Sequence, residues 1–182
     1  MAQHESLKEL QIRLGQRLQQ AQSTDVALTW LAAVAGPKNY LLPLRQSGEV
    51  LPAPQLCSVP RTKPWFLGVV NVRGSLFGTI DLAQFDAYFH HQGEQAPTSA
   101  AAPVLQTPSV VTFHSELEVN YALQVSALAG LRSLESFATS TPAPPGSPVF
   151  FGAQFLDTQA ISWQEIKLHE LSRTPEFLNI CA

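Results

Sequence analysis

The sequence predicts a mainly β fold, sandwich or barrel, with helices at its ends. Three observations carry that expectation. Short apolar runs recur between clusters of Gly, Pro, Asn and Asp, the residues that supply turn geometries. Leu117, Val119, Tyr121, Leu123, Val125 and Ala127 alternate with other residues, the period of a half-buried strand. Four prolines between Pro52 and Pro64 exclude a helix there and impose a rigid extended connection. With 182 residues the chain suits one domain, or two small lobes sharing a boundary.

Taken in order, the first element is helical. Ser6-Leu7-Lys8-Glu9 has capping-box spacing, and Leu7, Leu10, Leu14, Leu18 and Ala21 follow at three- and four-residue steps. Residues 1–25 therefore read as an amphipathic helical extension, packed on the main body or docked on another protein. From residue 26 the pattern turns extended. Thr29 to Ala35 and Tyr40 to Leu44 flank Gly36-Pro37-Lys38-Asn39 as a hairpin, with Pro43 marking an edge or an interruption. Phe66 to Val72 and Leu76 to Leu82 form a second strand pair around Arg73-Gly74-Ser75, followed by a short helical stretch, Ala83 to Phe89.

Residues 92–108, rich in Ala, Pro, Ser and Thr, read as a mobile loop, as do residues 138–148. Between them come a strand at Val110 to Phe113 and the alternating run Leu117 to Leu128. Val149 to Leu156 and Ala160 to Trp163 make a last hairpin around Asp157-Thr158. Gln164 to Leu171 and Pro175 to Ile180 read as short terminal helices, with Pro175 at a first-turn position. The count is about eight to ten short strands, and the folded domain spans residues 26–180.

Composition narrows function. Lys and Arg number 11 against 14 Asp and Glu, a net charge of -3 with no basic block, which argues against a nucleic-acid surface. Charged residues are only 14%, leaving a neutral surface suited to partners. Cys57 and Cys181 stand alone, without the spacing of a disulfide framework or a zinc site. The polar, acidic N-terminus differs from a signal peptide, and no apolar run is long enough for a membrane span, so a cytosolic protein is expected.

Catalytic motifs are missing. Gly74 and Gly78 lack the lysine of a phosphate loop. His90-His91, side by side, read as a solvated pair rather than metal ligands, and His114 and His169 as surface residues. Asp81 has the chemistry of a general base but no partner in view. The expectation is a protein that is not an enzyme and holds no cofactor and no metal.

One segment asks for an explanation. PWFLGVVNVRGSLFGTIDL, Pro64 to Leu82, places Arg73 and Gly74 inside the most apolar stretch of the chain. A guanidinium buried there needs a carboxylate, since an unpaired buried charge costs several kcal/mol. Between Glu9 and Asp86 the chain offers only Asp25, Glu49 and Asp81. Gly74 permits a positive-φ turn or a close backbone approach.

SGEVLP, then SVPRTKPWFLGVVNVRGSLFGTIDL, then YALQVSALAG resemble the CheW family, adaptor domains of bacterial chemosensory arrays. The likeness runs from Trp30 to the C-terminus. It extends, through Trp30, the Pro-Trp-Phe-Leu-Gly-Val stretch and the Trp163…Pro175-Glu176-Phe177-Leu178 ending, to the branch controlling type IV pili and twitching motility. Gly78 stands where many members have Pro, and Ser126 where Asp is frequent.

The resemblance implies a pair of small five-stranded SH3-like β-barrels with the hydrophobic core between them. It implies a non-enzymatic scaffold that links a methyl-accepting chemoreceptor's signalling tip to the regulatory domain of a CheA-type histidine kinase. It also implies that Arg73 pairs with Glu49. The expected partner-binding residues are Arg73, Gly74 and Glu49, with Val50, Val72 and Leu44 as apolar neighbours, and the pair has a purely bracing role as its alternative. The competing reading from another class is a small-molecule-binding β-barrel with an interlobe pocket.

Overall fold

The computed structural model describes residues 28–90 and 107–182. Its strands are β1 (Thr29–Ala35), β2 (Lys38–Pro43), β3 (Ser47–Pro52), β4 (Phe66–Val72), β5 (Ser75–Asp81), β6 (Ser109–Phe113), β7 (Tyr121–Val125), β8 (Ala127–Ser133), β9 (Phe137–Thr141), β10 (Phe151–Asp157) and β11 (Ser162–Ile166). Its helices are α1 (Leu82–His90), α2 (Leu168–Leu171) and α3 (Pro175–Leu178).

The strands form two sheets. One has six strands in the order β8-β1-β2-β11-β10-β9, the other five in the order β3-β6-β7-β5-β4. The ladders close neither sheet into a ring, so the expected five-stranded barrels are realised as strongly connected open sheets of five and six strands. The chain starts in the six-stranded lobe, crosses to the five-stranded one through a single 3-10 turn at Leu44–Gln46, and returns at Ser126. Ser126 is pinned there, its N–H donating to the Val34 carbonyl at 2.8 Å and its hydroxyl accepting from Gly36 N–H at 3.3 Å.

A single core cluster spans both sheets. Leu31, Tyr40 and Leu42 contribute from one, Val111, Phe113 and Leu123 from the other, with Trp65, Phe85 and Phe177 packed among them. Phe177, delivered by α3, stacks on Phe113 with ring centroids 5.9 Å apart and meets Phe85 edge-on at 5.4 Å. Side chains of this size each contribute about 1.5–3 kcal/mol when fully buried. A second, smaller cluster of Trp30, Ala32, Leu41, Phe155 and Trp163 fills the six-stranded lobe alone.

Helix α1 ties the lobes together. Asp81 caps it, its carboxylate accepting from Gln84 N–H at 3.0 Å. Buried Asp86 receives Lys38 Nζ from β2 at 2.5 Å. Burial, and then the negative charge of Asp86, push the Tyr40 hydroxyl pKa well above the usual tyrosine range.

Several expectations change. β2 lies inside its sheet, between β1 and β11, so of the two alternatives for Pro43 the edge is excluded and the interruption holds: the strand ends there. The alternating run Leu117 to Leu128 is not one strand: Ser115–Leu117 is a 3-10 turn, Glu118 takes φ +56°, and β7 begins only at Tyr121. Ala127 and Leu128 already belong to the other sheet. Residues 138–141, expected to open a mobile loop, belong to edge strand β9 (Phe137–Thr141). Gln164 to Ile166 is strand rather than helix. The helical extension expected before residue 26 and most of the loop at 92–108 lie outside the described residues.

Candidate protein-binding site

Arg73 and Gly74 are the two central residues of the β4–β5 hairpin, flanked by the pair Val72↔Ser75. Their φ values, +51° and +90°, are those of a type I′ turn, whose twist matches that of the strands. Asn71, the polar interruption in β4, serves this turn: its side-chain oxygen accepts from Gly74 N–H at 2.9 Å. Gly74 supplies the positive φ at no steric cost. Arg73 does not, because a left-handed conformation costs a residue with a Cβ about 1–2 kcal/mol.

The carboxylate opposite comes from β3, at the other edge of the same sheet. The β3–β6 register shifts between Ser47 and Val50, a bulge that re-aims the Glu49 side chain. Thr112 fills the gap, its hydroxyl accepting from Glu49 N–H at 2.7 Å. Gly48 makes the bulge feasible, since a Cβ there would lie 2.5 Å from Thr112 Oγ1. Glu49 Oε1 then sits 3.2 Å from Arg73 Nε, joining the sheet's two outer strands by an ion pair where no ladder runs.

The pair expected between Arg73 and Glu49 is therefore present, but the burial that motivated it is not. The Arg73 side chain is 83% exposed and that of Glu49 41%. An exposed pair of this kind contributes at most about 1 kcal/mol, so bracing the lobe does not offset the backbone cost of Arg73.

The proposed apolar neighbours divide. Val50, next to Glu49, and Leu44, on the turn between the lobes, are exposed. Val72 is 7% exposed and belongs to the core, so it offers nothing to a partner. Leu76, paired with Asn71 on the hairpin and 60% exposed, was not anticipated; its place just past the Arg-Gly turn was the available signal.

Other candidates have local roles. Asp81 is a helix cap. His114 accepts a backbone hydrogen bond from Glu116 at 3.3 Å, and His169 lies beside Glu170. His90 Nδ1 donates to the Asp86 carbonyl at 2.8 Å; His91 lies outside the described residues. Among the described residues, no three His, Cys, Asp or Glu are grouped to share a metal ion. None of the described helices is long and apolar enough to cross a membrane. A cavity of about 430 Å³ lies between Lys38, Tyr40, His90, Phe151 and Gln164, broadly open to solvent.

Comparison with known proteins agrees with this architecture. The model of the CheW-like domain matches residues 30–153. PilI of Pseudomonas aeruginosa is 40% identical over 50 residues, a stretch covering 28% of each chain. The crystal structure of the scaffolding protein TtCheW from Thermoanaerobacter tengcongensis superimposes with a TM-score of 0.59, covering 83% of this chain and 96% of that one at 18% identity. At that identity the likeness speaks for the fold.

Proposed function

The chain belongs to the CheW-like domain family of scaffold and adaptor proteins, and on that premise we propose that it couples a methyl-accepting chemoreceptor's signalling tip to the regulatory domain of a CheA-type histidine kinase. The pathway is the one controlling type IV pili and twitching motility, a reading supported by the stretch of identity with PilI. The protein works in the bacterial cytoplasm, held at membrane-bound receptor arrays through its partners. It carries no chemistry of its own.

The observation that supports this reading best is Arg73 itself. A type I′ turn is made most cheaply by Asn-Gly. Here an arginine occupies the strained first position, with its side chain largely in solvent. Glu49 orients the guanidinium without covering it. Val50 and Leu76 add exposed apolar surface on the same lobe. Such a patch, apolar with a few fixed charges, is the composition of a protein interface. By setting two partners in one geometry, the scaffold turns a small change in the receptor into a change in kinase output.

The test is binding of wild type, Arg73→Asn and Glu49→Ala to a CheA-type regulatory domain and to a receptor tip fragment, with thermal melts alongside. Loss of one partner by Arg73→Asn at unchanged melting temperature is the expected result. Wild-type protein that binds neither partner refutes the adaptor role. Undiminished binding by the variants moves the site away from the hairpin.

A further inference from the structure

A guanidinium carries five N–H donors in one plane, one on Nε and two on each Nη. Glu49 meets that plane at a single corner, its Oε1 approaching Arg73 Nε at 3.2 Å. Among the described residues no acceptor hydrogen-bonds either Nη nitrogen, and the side chain is 83% exposed. The Nη end is thus unspent. It is also held in place. The turn sets the Arg73 backbone at φ +51°, and Asn71 fixes the turn through Gly74 N–H at 2.9 Å. Glu49 is fixed in its turn by buried Thr112, whose hydroxyl accepts from Glu49 N–H at 2.7 Å and donates to the Glu49 carbonyl at 3.4 Å.

What such an end recognises follows from its chemistry. Parallel N–H groups match the two oxygens of a carboxylate, whereas a backbone carbonyl fills only part of the fork and a cation is repelled. A phosphate fits the fork too, but Glu49 alongside opposes its second negative charge. Resting on the adaptor reading above, we propose that the Nη end of Arg73 receives, in bidentate fashion, an aspartate or glutamate side chain of the partner bound at this hairpin. Glu49 is the positioning residue: it occupies Nε and so aims the remaining donors outward. Because the turn and Glu49 already restrict the guanidinium, little side-chain freedom is lost when the partner docks. The strained backbone at Arg73 is then the cost of presenting a fork, which a lysine or an asparagine in the same turn lacks.

The experiment titrates a CheA-type regulatory domain and a receptor tip fragment with the full chain as wild type, Arg73→Gln, Arg73→Lys, Glu49→Ala and Glu49→Gln. All four changes lie at exposed or half-exposed positions and are expected to fold, as far-ultraviolet circular dichroism will verify. For one partner, Arg73→Gln is expected to weaken binding about tenfold or more, and Arg73→Lys, which keeps the charge without the fork, by nearly as much. Glu49→Ala releases Nε and weakens binding. Glu49→Gln keeps an oxygen for Nε and removes the charge that opposes the incoming carboxylate, so it binds as well as wild type or more tightly. The proposal is overturned if Glu49→Gln weakens binding as Glu49→Ala does, or if Arg73→Gln tightens it, since the partner's group is then a cation. It is overturned equally if Arg73→Lys binds like wild type, or if phosphatase treatment of the partner abolishes binding, which assigns the fork to a phosphate. Arg73→Gln that binds both partners like wild type overturns it and leaves the adaptor role standing. Wild type that binds neither partner ends both.

Discussion

The two lobes use charge in opposite ways. In the six-stranded lobe the carboxylates face indoles. Glu165 accepts from Trp30 Nε1 at 2.8 Å and from Ala153 N–H at 3.2 Å. Asp157 accepts from Trp163 Nε1 at 3.1 Å and from the backbone of Gln159 and Ile161 at 2.8 and 2.9 Å. These acceptors are filled by fixed donors of the same lobe and have little left for a partner. In the five-stranded lobe the main charged contact, Arg73 with Glu49, lies at a hairpin tip in solvent. One lobe spends its charges on holding itself together; the other presents them.

The contrast predicts a graded series. Trp30→Ala empties the centre of the smaller core and strands Glu165; a loss of about 3–5 kcal/mol in urea unfolding is expected, and a loss under about 1 kcal/mol denies the indole its role. Lys38→Ala leaves Asp86 buried without its cation and is expected to cost about 1–3 kcal/mol, read in the same assay.

Asp157→Asn acts through pH. Above all the Ile161 backbone N–H, with the Trp163 and Gln159 donors and nearby Arg132 adding to it, holds the Asp157 carboxyl below the usual aspartate range. Its contribution to stability is therefore present above the ordinary aspartate pKa of about 3.8 and lost as pH falls through the lower, folded value. The variant is expected to melt lower at neutral pH and to converge on wild type in acid; a constant difference down to pH 2 contradicts this. Arg73→Asn is the smallest change in stability, within about 1 kcal/mol of wild type. A larger loss makes the hairpin pair structural and erases the contrast.

Much of this was legible along the chain, where the signal is local. Gly36-Pro37 and Arg73-Gly74 announced their hairpins because turn geometry is set by adjacent residues. The Arg73–Glu49 pair was anticipated from the family resemblance, and the need for some carboxylate from an assumed burial that was wrong: an apolar run looks the same whether its middle lies in the core or turns at a tip. The alternation from Leu117 to Leu128 misled because a period of two does not record which sheet a residue joins, and the crossing at Ser126 leaves the rhythm intact. β9 escaped notice because its residues 138–141 are exposed and carry no apolar stripe. The indole–carboxylate contacts had no local signal, Trp30 and Glu165 being 135 residues apart.

The threading of the chain has a consequence for how the protein is made. The six-stranded sheet takes its first two strands from the beginning of the described chain and its last two from near the end, and the five-stranded lobe is laid down between them. Trp30 is translated long before Trp163, with which it shares its cluster, and Phe113 and Tyr121 wait for Phe177. Neither lobe has a finished interior until those late residues have been translated. A nascent chain halted before them exposes β1 and β2 without β11, the state in which unpaired strands find one another instead. Phe177 is thus the side chain that completes the shared interior, and it is among the last to arrive.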